Sequence, residues 1–167
     1  MTSPDLRTQI GRTNEKINHA QLHFSAYRDI LSDSGRFQQD AWAVSYAESC
    51  TLHLGLAWQS LLRELAAFYR LSDVEDVDAL ELALKQQGLV APEVVQIRSA
   101  LADPSSWLGH FLRAWQALQE PAVPRAQVNH QRIDLGRDDA SMLVMLESWL
   151  KGIRQCVSEF RQEMQEW

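Results

Sequence analysis

The sequence predicts an all-α protein, an antiparallel helical bundle of three long and about three shorter helices, and three observations carry that prediction. Apolar residues recur at alternating spacings of four and three over long stretches, the period of a helix face. Glycine and proline are few, seven and five. The evenly spaced turn residues that a strand-rich chain needs are missing. With 167 residues the chain has enough length to bury one real core, so a single helical-bundle domain over residues 1–167 is expected.

The elements follow in order. Ser3-Pro4-Asp5 is a helix start, because Ser accepts orphan N–H groups, Pro suits the first helical position and Asp complements the dipole. The inward seam of this first helix, residues 4–32, is Leu6, Ile10, Thr13, Ile17, Ala20, Phe24, Tyr27 and Leu31. It ends at Ser32-Asp-Ser-Gly35, where Gly can take a left-handed cap. A short connection makes the next helix, residues 36–70, its antiparallel partner. That helix has a seam of Phe37, Ala41, Val44, Glu48, Thr51, Gly55, Trp58, Leu62, Leu65 and Tyr69. Leu52, Leu54, Leu56 and Leu61 fill its other faces, so it reads as the central, buried helix.

The acidic run from Ser72 to Asp78 caps a third helix through Leu80 and Leu84 to Gly88, and Pro92 opens a fourth that Asp103-Pro104 closes. Ser105-Ser106 caps a fifth carrying Trp107, Leu108, Phe111, Leu112, Trp115 and Leu118. Residues 120–137 lack helical period and read as a long loop. Asp138-Asp139 caps the last helix, residues 139–165, with Met142, Leu146, Trp149, Ile153, Cys156 and Phe160 on its seam, continued by Met164 and Trp167.

Composition excludes several function classes. Sixteen basic against 22 acidic residues give a net charge of −6 with no Lys/Arg block, which argues against generic nucleic-acid binding. Cys50 and Cys156 are too few and too far apart for a disulfide framework and read as reduced core residues. The N-terminus lacks the apolar run of a signal peptide. The most hydrophobic segment, Leu52 to Tyr69, is broken by His53, Gln59, Arg63 and Glu64, so no membrane partner and a cytoplasmic location are expected.

The chain has no GxGxxG, Walker-type loop, HExxH, GxSxG or ExxH motif, so no cofactor and no catalytic residue are assigned. Glu15, His19 and His23 lie one helical turn apart on one stripe, a spacing a metal could bridge. Because that stripe sits outside the seam with no second helix to complete the ligands, no metal is expected. Polar residues on or beside the inward faces of the first two helices form a candidate polar core cluster of Arg12, Asn14, Lys16, Glu48, His53 and Glu64. Its sharpest element is a pair. The hairpin sets positions whose numbers sum to about 70 to 75 opposite one another, so Arg12 is expected to contact Glu64. A pocket lined by Glu48, His53 and Trp58 would make the protein a small-ligand binder.

Two resemblances follow from short motifs. Arg125-Ala-Gln-Val-Asn-His130, and Arg12 with His19, resemble loosely the Arg-to-His spacing of the HEPN helical-bundle ribonucleases, in which Arg holds the phosphate and His moves the proton of the ribose 2′-OH. Arg12-Thr-Asn-Glu-Lys16, Ala20-Gln-Leu22, His53-Leu54, the segment Glu64 to Leu71, Phe160-Arg161 and Glu166-Trp167 carry the wider likeness. They resemble a family of small helical proteins of pseudomonads and related gammaproteobacteria, a domain of unknown function. The likeness spans nearly the whole chain, with Val74 to Arg137 divergent. It implies a bacterial, cytoplasmic, all-helical protein and brings no activity with it. The reading that results is a non-enzymatic binding or assembly protein acting through helical surfaces. Its partner is a protein or a second copy in a homodimer, favoured by the heptad seam and by six Trp, of which Trp42 and Trp167 lie near element ends. A HEPN-like ribonuclease using Arg125 and His130 and a ligand binder within the bundle are the alternatives.

Overall fold

A computed structural model describes residues 5–72, 74–120 and 139–165, which form six helices and, among those residues, no strand. They are α1 (Leu6–Ser32), α2 (Gln39–Phe68), α3 (Val77–Gln86), α4 (Pro92–Ala102), α5 (Trp107–Gln119) and α6 (Asp139–Gln165). The expected loop at 120–137 and Trp167 fall almost wholly outside the described residues.

The α1–α2 hairpin is the dominant contact, α6 packs on both of its helices, and α5 lies against α2 and α6. α3 and α4 form an outer pair, leaning on α2 and α5 respectively. The α1 seam is as the spacing predicts through Thr13, Ile17, Ala20, Phe24 and Tyr27, all buried, with Ile30 replacing Leu31 at the end. In α2 the buried stripe is Ala43, Ala47, Cys50, Leu54, Ala57, Leu61 and Glu64, joined by Thr51, Gly55 and Trp58 toward α5. The expected seam is displaced in its first half. Phe37 is 83% exposed, and Ala41 and Glu48 are exposed, because small Ala and Cys side chains, not the larger ones, let α1 approach.

The chain turns between the hairpin helices over Asp33–Gln38, with Gln38 and not Gly35 in the left-handed region (φ 57°). The helix end at Gly88 is as expected. Its φ of 71° lets the Leu89 N–H reach the Leu84 carbonyl and its own N–H reach Lys85, each at 3.0 Å. The same closing motif ends α2, with Arg70 at φ 56°.

Two close helix approaches rest on glycine. A Cβ added at Gly55 of α2 would overlap the Trp115 indole of α5, and one at Gly152 of α6 would overlap Trp107. Phe111 ties both tryptophans into one aromatic layer with Trp149, whose ring centre is 5.8 Å away. Ser106 caps α5 by accepting from Gly109 N–H, and Asp76 caps α3 by accepting from Ala79 N–H. Between layers, Tyr69 donates to the buried Glu93 carboxylate at 2.8 Å, and Arg98 of α4 holds Asp78 and Glu81 of α3.

Candidate functional site

Two polar constructions lie along the hairpin, one sealed and one open. At the closed end Glu64 is fully buried. Arg161 of α6 grips it bidentately, Nε to Oε1 at 2.6 Å and Nη2 to Oε2 at 3.0 Å, and Thr13 of α1 donates to Oε2 at 2.9 Å. Arg161 also donates from Nη1 to Asn14 Oδ1 at 2.9 Å. One carboxylate therefore joins α1, α2 and α6.

The open construction is a strip of rings in the groove between α1 and α2. Trp42 and Tyr46 stack at 5.8 Å, Tyr46 lies 6.3 Å from His23, and His53 sits 5.1 Å from both His23 and His19. Arg36 closes one end with its guanidinium 5.2 Å from the Trp42 ring. At the other, Glu15 lies 4.0 Å from His19 Nδ1 and accepts from Lys16 at 2.9 Å. Removal from water, and then the neighbouring His23 and His19, hold the His53 imidazole below its ordinary value. Lys16 above all holds the Glu15 carboxyl below its usual range.

The structure separates the residues expected to form one polar core. Glu64 is in the core and Asn14 reaches it through Arg161. Arg12 is exposed, and Arg161 holds the place expected for it. The register was right, since Glu64 does face the Ile10–Thr13 turn of α1, but a guanidinium arriving from α6 can span two helices where Arg12, turned to solvent, cannot. Lys16 is taken up by Glu15, Glu48 is exposed, and His53 belongs to the ring strip. Arg161 was missed as a partner, although it directly follows the Phe160 seam position at a depth that faces the start of α1. His53 as the companion of His19 and His23 was equally legible, because 53 and 19 sum to 72, within the hairpin's register.

A cavity of about 560 Å³ opens between α2, α3, α4 and α5, lined by Trp58, Leu62, Leu112 and Trp115 with Glu75 and Arg98 at its polar side. Trp58 is there as the ligand-binding alternative required, but Glu48 and His53 are not. Glu48 instead borders a small cleft against α5 and α6 with Thr51 and Trp149. Both cysteines are free; burial pushes the Cys50 thiol up to about 12 and Cys156 to about 11, so neither is poised as a thiolate. Arg125 and His130 lie outside the described residues.

Fold and site together define an all-α protein pinned by a buried carboxylate–guanidinium contact, with a ring-rich strip along its longest hairpin. The chain belongs to a family of unknown function (DUF6586), whose model matches residues 6–167. No curated protein and no solved structure matches it. Among the described residues no helix is long and apolar enough to cross a membrane.

Proposed function

We propose that this is a bacterial cytoplasmic binding or assembly protein, non-enzymatic, that uses the ring strip of the α1–α2 hairpin to join a second copy of itself. The observation that supports this reading is the apolar flank of the strip. Leu22, three residues past His19, and Leu56, three past His53, stand beside the rings at 60% and 42% exposure, and Trp42 within the strip is 42% exposed. A face rich in aromatic rings, with Leu at its edge and Arg over Trp, has the make-up of a protein interface. Each end carries both signs of charge, Arg36 and Asp40 at one, Lys16 and Glu15 at the other, so a copy turned end for end meets no block of like charge. Light scattering at tens of micromolar tests the reading. The expected mass is that of two chains, falling to one in Leu22→Glu/Leu56→Glu, whose substitutions sit at exposed positions. A single-chain mass for the unaltered protein would refute it.

A further inference from the structure

The cavity between α2, α3, α4 and α5 belongs neither to the pinned carboxylate nor to the ring strip, and its walls and rim differ in chemistry. Its volume, about 560 Å³, is that of a small-molecule site. Trp58 and Leu62 of α2, both buried, form one wall, and the half-buried Leu112 and Trp115 of α5 form another. Two indoles among aliphatic side chains suit a flat apolar body. The rim is acidic. Glu75, Asp76 and Asp78 stand there with one cation, Arg98. That guanidinium is already engaged, donating from Nε to Glu81 at 2.8 Å and from Nη2 to Asp78, so two carboxylates neutralise it.

We propose that this cavity binds a small organic cation with a flat aromatic body, its rings against Trp58 and Trp115 and its positive charge at Glu75 and Asp76. Among the described residues no cation pairs with either of those carboxylates. Asp76 accepts from the Ala79 N–H through Oδ1, which holds the side chain at the start of α3. The surrounding chain has the same sign, since residues 71–103 carry seven acidic and two basic residues, and such a field draws cations toward the mouth. An anion of the same shape would meet that field with no uncommitted cation to receive it. A positive charge on the ligand also gains from the indole faces beside it. Gln59 and Gln116 add neutral hydrogen-bonding groups to the lining.

The cavity shares no lining residue with the ring strip, so binding there stands or falls independently of self-association. Titration of the full-length protein with berberine, a planar aromatic cation whose emission rises when it leaves water, is expected to show saturable binding of one dye per chain. Tryptamine should displace it, and indole-3-acetate, with the same ring and the opposite charge, should not. Glu75→Gln with Asp76→Asn, in which Asn keeps the α3 cap, should weaken berberine binding about tenfold. Glu147→Gln with Glu159→Gln removes the same charge from the exposed face of α6 and should bind as the parent does. Circular dichroism of both variants checks the fold, and the displacement pair remains decisive on the unaltered protein should a variant unfold. Absence of saturable one-to-one binding, equal displacement by the two indoles, or weakening that is nil in the folded rim variant or equal in both variants would overturn the proposal.

Discussion

Glu64 and His53 are both polar residues of α2 facing α1, eleven positions apart, and their surroundings give them opposite consequences. Glu64 is fully buried but satisfied by Arg161 and Thr13. Removing only the cation strands a desolvated carboxylate, whereas replacing both partners by apolar side chains of similar volume does not. Arg161→Met is therefore expected to cost about 3–5 kcal/mol in urea unfolding, and Arg161→Met with Glu64→Leu to recover most of it. If the double variant were as unstable as the single one, the pair would not be the origin of the loss. His53 sits between two imidazoles with a buried, unpartnered Nδ1 and takes up a proton at lower pH in the folded chain than in the unfolded one. The unfolded state thus binds more protons as pH falls through the ordinary imidazole value of 6.5, so stability must fall over that interval. Urea midpoints at pH 7.5 and 5.5 should show that loss, and it should shrink in His53→Gln. An equal loss in His53→Gln would move the effect to other groups. The sequence marked both residues as important but misassigned their partners. A period identifies which side chains turn inward, whereas a partner depends on which third helix closes over them.

At the scale of the element, glycines show how local propensity and packing compete. Gly11 of α1 has open space around its Cβ position, so Gly11→Ala is expected to stabilise the protein by about 0.5–1 kcal/mol through helix propensity. Gly55, in an equally helical setting, is pressed by Trp115, and Gly55→Ala should destabilise by about 1–3 kcal/mol. Thermal melts of the two variants should move in opposite directions; a shared direction would mean that the α2–α5 approach is not set by the missing Cβ. The element boundaries were legible where a side chain forces them. Pro92 opens α4, the Ser106 and Asp76 side chains accept the capping hydrogen bonds expected of their segments, and Gly88 ends α3. The first half of α2 was not legible. Glu48 and Phe37 keep the period that Ala43, Ala47 and Cys50 also keep one position away, and closeness of packing chose the smaller set.

For the whole molecule, the all-helical class and the antiparallel hairpin could be read from period and connection length. The placement of α6 across both hairpin helices could not, because heptad seams are alike and the segment between α5 and α6 is long. That placement decides which face of the hairpin is left for function. α6 and α5 cover other sides of α2, and the groove holding Trp42, Tyr46, His23, His53 and His19 stays at the surface with Leu22 and Leu56 beside it. This strip is the proposed meeting place of the protein with its second copy. Hydrogen exchange by mass spectrometry, run from about 1 to about 100 micromolar protein, tests directly the proposed self-association. Amides of residues 15–26 and 42–56 should gain protection as concentration rises, while α3 and α4 exchange at a constant rate. Protection that rises on α3 and α4 instead, or nowhere, would mean that the strip is not a self-association surface.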